Sequence, residues 1–395
     1  MRDDWLLLAL GEVATRSTQK NSALLDRVLT VSAEHGLIEQ ELFFTKRVAS
    51  KNLSGYSVVA PGVFVYNKSY SVKAPMGVIA RNRDLQAGVV SPLYIIFQAN
   101  EDKILLEFLE MATNSALFHT SLEGFIKEGG RAHGGITISL GDFFGAALLV
   151  PPLEEQRRIV DVVESVDNYI AALQARVDAA RIARNAVLHE LLNAGGDGWV
   201  ETTLGEVAKF VGERLSPTTI DSETYYVGLE HIVPHTLKVL STGRTAEVTS
   251  HVTPFSEGDV LFGRLRPYLH KVAIADFAGF CSPEILVLRA NKKCLPSLLH
   301  MFCDRESTIK SCVEMSAGTR MPRTSQGDLA RVEISLPPLV EQQRIVEVVS
   351  SMDDSIQATE QTIVEAKNLR SGLLSDLLSG EHEIPAAYDK LLGAA

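Results

Sequence analysis

The 395-residue chain has no apolar stretch approaching the roughly 18 residues that a membrane-spanning helix needs. The short run at residues 6–10 follows two aspartates, so no export signal is expected. Cysteine is scarce. Cys281, Cys294, Cys303 and Cys312 form no CxxC pair and show no zinc spacing. Free thiols in a reducing cytoplasm are the expectation; a zinc site that borrows His300 is the alternative. The motifs of nucleotide and group-transfer chemistry are also missing. There is no GxxxxGK[ST], no GxGxxG after a strand, no HExxH, no GxSxG and no Asn-Pro-Pro-aromatic signature. His133, His231 and His235 have no carboxylate or thiol at a telling spacing, and they read as solvated or satisfied histidines. These gaps point to a chain with no catalytic residues, no metal and no cofactor.

Net charge is −11, from 49 acidic and 38 basic residues, which by itself speaks against nucleic acid as a partner. The distribution speaks otherwise. Residues 42–83 contain no acid, yet carry Lys46, Arg47, Lys51, Lys68, Lys73, Arg81 and Arg83. Residues 260–275 are also free of acids and hold Arg264, Arg266, His270 and Lys271. Phosphate is neutralised by local patches and not by net charge, although a row of charges on one strand face can equally be solvated.

Two stretches lack proline and glycine for much of their length. Residues 151–192 open with Pro151-Pro152, a pair that can enter a helix but not continue one. Apolar positions follow at Ile159, Val163, Val166, Ile170, Leu173, Val177, Ala180, Val187 and Leu191. Steps of four and three give the heptad spacing of a helix packed along a seam. At about 1.5 Å per residue such a helix is a rod roughly 60 Å long, and it needs an apolar partner. Residues 337–378 repeat the pattern without a gap at a constant offset of 186. Glu155/Glu341, Gln156/Gln342, Arg158/Arg344, Ile159/Ile345, Val160/Val346 and Asp167/Asp353 are identical pairs. The second seam runs Ile345, Val349, Met352, Ile356, Ile363, Ala366, Leu373, Leu377. Arg184 and Arg370 share one seam position. They are expected either to sit near the frayed end with their stems packed and heads in water, or to share a register-setting or partner-binding role.

The repeat extends to a whole module. Leu10-Gly11-Glu12-Val13-Ala14, after Trp5, opens the segment before the first rod. Leu204-Gly205-Glu206-Val207-Ala208, after Trp199, opens the segment before the second. Gly88-Val89-Val90-Ser91-Pro92 resembles Gly279-Phe280-Cys281-Ser282-Pro283, and Gly130-Arg131 resembles Thr319-Arg320. Ser139-Leu140-Gly141-Asp142-Phe143 resembles Ser325-Gln326-Gly327-Asp328-Leu329. Elsewhere the two segments diverge, which suits one scaffold presented twice with different surfaces.

Short β-rich runs at residues 58–67, 76–81, 93–97 and 146–150 alternate with a helical period at 103–122 in the first segment. The second has the same mixture, with strands near 225–229, 260–262, 272–275 and 285–288 and a helix at 295–309. The predicted fold class is α+β. Two mixed α/β globules, residues 1–150 and 195–336, are separated by two long antiparallel coiled-coil helices, residues 151–194 and 337–380, in a pseudo-twofold internal repeat. The tail at 381–395 is expected to be loosely ordered.

Leu-x-Pro-Pro-Leu-x-Glu-Gln-x-x-Ile-Val, opening a long helix twice at Leu149–Val160 and, with its own spacing, at Leu336–Val346, resembles the specificity subunits of type I restriction-modification enzymes. Tyr66-Asn67-Lys68-Ser69-Tyr70 with Gly88-Val89-Val90-Ser91-Pro92-Leu93-Tyr94 is similar to one type of their target-recognition domain. Leu265-Arg266-Pro267-Tyr268-Leu269-His270-Lys271-Val272 is similar to another, in which many members have asparagine at position 270. Residues 15–41 depart from the family pattern.

The resemblance implies a non-catalytic subunit of a multi-subunit enzyme. Each globule would read one half of a split double-stranded DNA site. The rods would set the unspecified spacer, by the logic that links dimer geometry to half-site spacing. Two methyltransferase (modification) subunits would dock on the rods and bring S-adenosylmethionine, and restriction/translocase subunits would bring ATP-driven cleavage. DNA contacts are expected from Lys46, Arg47, Tyr66, Asn67, Lys68, Tyr70, Lys73, Arg81 and Arg83 in the first globule. In the second they are expected from Arg264, Arg266, Tyr268, His270, Lys271 and Arg320. Partner contacts are expected from Glu155, Gln156, Arg158, Glu341, Gln342 and Arg344. The rival readings are a DNA-independent scaffold with lectin-like or peptide-binding globules, and a fused enzyme fragment that has lost its catalytic half.

Overall fold

The computed structural model describes residues 4–32, 35–44, 48–69, 74–125, 136–234, 237–315 and 322–389. The fold is α+β, with two globules and two long helices, Leu153–Asn193 and Leu339–Leu378. The chain divides into two compact units: Met1–Ala172 with Thr362–Ala395, and Leu173–Gln361. Each unit contains one globule and a part of both long helices.

In the first unit the central sheet has the order Ala14–Arg16, Ile95–Ala99, Phe64–Asn67, Val78–Arg81, all antiparallel. Leu6–Ala9 pairs with Ala147–Val150, bringing the two ends of the globule together before the first rod. Helices Leu106–Ala112 and Ala116–Phe125 cover the sheet. The sequence suggests one helix here; Thr113 interrupts it, its hydroxyl donating back to the Leu109 carbonyl. Phe64, Phe97, Phe108, Phe118 and Phe143 are fully buried, each contributing roughly 1.5–3 kcal/mol of burial energy.

The second unit repeats this plan. Its central sheet runs Ala208–Val211, Ile285–Ala290, Val260–Gly263, Val272–Ile274. Val200–Thr203 pairs with Glu333–Leu336, and Pro296–Asp304 and Glu306–Met315 are the covering helices. A further four-stranded sheet, Gly243–Arg244, Tyr225–Val227, Gly279–Cys281, Thr253–Phe255, is elaborated beside it.

The repeated sequence landmarks have physical roles. Leu10–Val13 and Leu204–Val207 are single helical turns. A Cβ on Gly11 would stand 3.2 Å from the Phe144 carbonyl oxygen, and one on Gly205 would stand 3.1 Å from that of Ala330, so both turns need glycine to pack this closely. The Ser-x-Gly-Asp motif is a helix start. Ser139 Oγ accepts from Asp142 N, and Ser325 Oγ from Asp328 N, each at 3.0 Å.

Within each unit the two long helices run antiparallel. In the first, Ile159, Val160 and Val163 share a core with Leu373, Leu374, Leu377 and Leu378, while Asp167 meets Arg370. In the second, Leu188 and Leu192 share a core with Ile345 and Val349, while Arg184 meets Asp353. The heptad reading puts Val187 and Leu191 on the seam, but Leu188 and Leu192 are the buried pair. A helix of 3.6 residues per turn drifts from a strict 3.5 repeat, and here the drift turns the end of the helix toward the second globule. Of the tail that the sequence leaves loose, the described part, as far as residue 389, is packed. Ile384 is buried, and Asp389 accepts from both Nε (2.9 Å) and Nη2 (3.2 Å) of Arg158.

Candidate nucleic-acid interface

Of the predicted contact residues, Lys46, Arg47, Tyr70, Lys73 and Arg320 lie outside the described residues, as do Gly130-Arg131, His133 and His235. In the first globule Tyr66 is a correction. Strand Phe64–Asn67 is buried along its first three residues, and Tyr66 is 1% exposed. Its ring stacks on Phe143 at 4.7 Å, its hydroxyl donates to the Met76 carbonyl at 2.9 Å, and burial pushes its pKa up. Tyr66 is a core residue and not a surface contact.

Arg81 is also corrected. The acid-free stretch that carries it meets carboxylates from another part of the chain. Helix Leu106–Ala112 supplies Glu107 at 2.6 Å and Glu110 at 3.1 Å, and the Arg81 side chain is only 11% exposed. Glu107 is held below its usual pKa: burial opposes ionisation, and the Arg81 hydrogen bond with other favourable contacts outweighs it. Arg83 reaches Glu110 at 3.1 Å but stays largely exposed. Asn67 ends its strand with Oδ1 accepting from Ser69 N at 3.0 Å. The neighbouring Lys68 is half-buried and makes no ion pair among the described residues. Of the predicted contact cations that are described in the first globule, Lys68 and, in part, Arg83 therefore remain available.

In the second globule the loop after Val260–Gly263 is held by unusual backbone geometry. Arg266 and His270 both adopt left-handed conformations, with φ of 53° and 50°, on either side of the helical turn Pro267–Leu269. Non-glycine residues there cost on the order of 1–2 kcal/mol each, so the surroundings must impose the shape. Two of the predicted contacts do that work. His270 sits between Asp304 at 3.2 Å and Glu306 at 3.4 Å, and the hydrogen bond to Asp304 raises its pKa against the opposing effect of burial. Lys271 Nζ donates to the Leu229 carbonyl. Both are corrected from DNA contacts to loop anchors. Arg266 and Tyr268, just before the anchors, are exposed.

Arg264 joins a cluster that sequence reading missed. Residues 322–324 run antiparallel to residues 264–266: Arg266 N donates to the Pro322 carbonyl at 2.9 Å, and Thr324 N to that of Arg264 at 2.8 Å. This brings Arg323 beside Arg264, with Arg214 near enough to repel them. The Arg264 guanidinium is held below its usual pKa, first by burial and then by Arg323. The available signal was Arg323 itself, three residues beyond the Thr319-Arg320 landmark.

The predicted partner residues divide in the same way. Gln156 and Gln342 are fully buried, at 0% and 1% exposure, and are corrected to internal clamps. Gln156 Oε1 accepts from Leu105 N, and its Nε2 donates to the carbonyls of Lys103 and Pro151. Gln342 makes the equivalent bonds to Leu295, Lys293 and Pro337. Glu155 is buried too, accepting from Trp5 Nε1 at 3.1 Å. Arg158 is committed to Asp389. Arg344 is exposed, with Glu341 3.4 Å away.

The four cysteines are free and buried, and burial pushes the thiols of Cys294 and Cys312 up to about 12 and about 11. Among the described residues there is no group of three or more His, Cys, Asp or Glu able to hold a metal, and no helix is long and apolar enough to cross a membrane.

The same globule is thus built twice, on one sheet order and clamped each time to the start of a long helix by a buried glutamine. Residues 196–368 match the family model described as the type I restriction modification DNA specificity domain, and the chain is similar to type I restriction-modification specificity subunits. It is 25% identical over 249 residues to the type I restriction enzyme EcoDI specificity subunit of Escherichia coli, covering 58% of this chain and 54% of that one. It is 21% identical over 288 residues to the MjaVIII specificity subunit of Methanocaldococcus jannaschii, covering 66% and 67%. The match thus spans about half the length of the Escherichia coli relative. A solved structure described as showing complex assembly and conformational transition of the type I R-M system shares the fold, with a TM-score of 0.60 at 20% identity and coverage of 97% and 99%. The type I S subunit of M. genitalium gives a TM-score of 0.50 at 12% identity, covering 96% and 97%.

Proposed function

We propose that this chain supplies the DNA address of a type I restriction-modification enzyme and performs none of its chemistry. Residues 1–150 and 195–336 each read one half of a split site in double-stranded DNA. The helical segments 151–194 and 337–380 set the interval between half-sites and present the exposed faces, Arg344 among them, on which methyltransferase subunits dock. Methyl transfer and ATP-driven restriction belong to those partners, in the cytoplasm where host DNA lies. The observation that supports this reading most is the duplicated module, in which one scaffold carries two unrelated loop surfaces. In the second, Arg264, Arg266, Tyr268 and Arg323 gather at one place with more positive than negative charge. Arginine there suits phosphate and guanine edges.

The test is binding of the full chain to duplex DNA across a salt series. Salt-dependent affinity is expected, and Arg266→Ala should lower it and flatten its dependence on salt by about one phosphate contact. Affinity that ignores salt would support the DNA-independent scaffold instead.

A further inference from the structure

The charge on this surface is not all of one sign. Glu284 ends the Ser282-Pro283-Glu284 turn between strands Gly279–Cys281 and Ile285–Ala290, in the midst of the arginines. Its carbonyl accepts from Arg264 N at 2.9 Å, which fixes the turn against the recognition loop. Its Oε1 accepts from Arg323 Nη2 at 2.6 Å. Its Oε2 is sealed from solvent and has no hydrogen-bond partner among the described residues. The pair is open at its outer side, with Arg323 49% and Glu284 33% exposed. One carboxylate thus serves a cluster of Arg214, Arg264 and Arg323, and among the described residues only Arg323 has it as an ion-pair partner. The Glu284 charge also favours the half-buried Arg264 guanidinium without pairing with it, but burial and the repulsion of Arg323 and Arg214 outweigh it.

We propose that Glu284 is a resident competitor for the DNA backbone, holding Arg323 in the free protein and giving it up to a phosphodiester that seats between Arg264 and Arg323. The proposal rests on the DNA-reading assignment above. A phosphate in that seat would give Arg264 a direct ion-pair partner, which Glu284 is not, and would meet Arg323 in the bidentate geometry arginine favours. It would also have to displace an ion pair, and an exposed ion pair is weak enough to be displaced. Glu284 therefore subtracts from affinity for every duplex. A duplex whose bases also satisfy the loop keeps the seat despite that loss, and one held by phosphates alone does not. The competitor thus lowers occupancy by duplexes held through phosphates alone, while the difference in affinity is set by the base contacts. The first globule carries no carboxylate at the equivalent position. The matching turn of the first, Ser91-Pro92-Leu93, has an exposed leucine in its place.

The experiment measures binding of a random-sequence duplex to the full chain by fluorescence anisotropy over a salt series. The variants are Glu284→Gln, Arg323→Gln and the double substitution. Glu284→Leu, which copies the first globule's turn, is the second variant should glutamine disturb folding. Neutralising Glu284 should tighten random-duplex binding by about three- to tenfold at low salt and steepen the log–log salt dependence by about 0.9, one added phosphate contact. Arg323→Gln in the same chain should abolish that gain. Weaker or unchanged binding on neutralising Glu284, with salt-dependent binding by the unaltered chain, would show that the carboxylate only braces the loop and would overturn the proposal. No salt-dependent binding by the unaltered chain would overturn the DNA-reading assignment, and this proposal with it.

Discussion

Arg184 and Arg370 occupy one position of a repeat, Asp167 and Asp353 another, and each arginine closes on the aspartate of the other helix. Arg184 holds Asp353 through two bonds of 2.9 and 3.0 Å, and Arg370 holds Asp167 through the same pair of nitrogens. Of the expectations for these arginines, the bonds support a register role over packed stems with heads in water. A polar pair on an apolar seam sets register because a slip leaves both charges unpaired. The pairs differ in exposure: 11% and 25% for Arg184 and Asp353, against 32% and 44% for Arg370 and Asp167. Asp353→Asn should therefore cost about 2 kcal/mol and Asp167→Asn less than about 1, measured by urea denaturation of the full chain. His270 gives a pH dependence. Its folded pKa is raised, so its contribution is complete below the ordinary histidine value near 6.5 and is lost as pH rises through the raised value. The carboxylates facing it are Asp304 and Glu306, while His189 and Arg184 line the cavity beyond. His270→Asn keeps a residue that tolerates the left-handed backbone but cannot titrate. Its stability should change less than that of the unaltered chain across this pH range; equal pH dependence in the two would remove His270 from the account.

At the scale of elements, the rods were legible in the sequence and the interface was not. A heptad is a local pattern, and its meaning is the same wherever it occurs. Gln156 and Gln342 were visible as a repeated pair, but their roles were misread, because a repeated polar residue at a helix start does not reveal which way it faces. Tyr66 was misread for a related reason. Strand alternation separates two faces only when one of them meets water, and in Phe64–Asn67 both are covered. Arg81 looked free because its acids lie more than twenty residues further along, on helix Leu106–Ala112. The Arg264–Arg323–Glu284 cluster draws on three separate segments, which no local window contains. The glutamine clamps carry a clear prediction. Replacing Gln342 by leucine orphans Leu295 N and the carbonyls of Lys293 and Pro337, and should cost about 2–4 kcal/mol. Hydrogen exchange should show the loss around Leu295 and at the start of the second rod. Protection unchanged there would mean the clamp contributes little.

At the scale of the whole molecule, the duplication was the most legible feature, and it supports the proposed function most directly. The landmarks that recur are those that hold the module together: a close-packed glycine turn, a serine-capped helix, a glutamine clamp and a register pair. The surfaces between them have diverged. That is the pattern expected when a scaffold is held constant and its ligands differ. A rod with no enzyme motif and two dissimilar recognition surfaces can specify an address without acting on it. The central claim is that the two globules read two halves of one DNA site for a methyltransferase that docks on the same chain. The measurement that tests it most directly is co-expression with a type I modification subunit, followed by single-molecule mapping of N6-methyladenine on host DNA. The account predicts a single new methylated motif, made of two short defined halves around a fixed unspecified spacer. A stable complex that adds no methylation, or one that methylates a continuous motif, would contradict it.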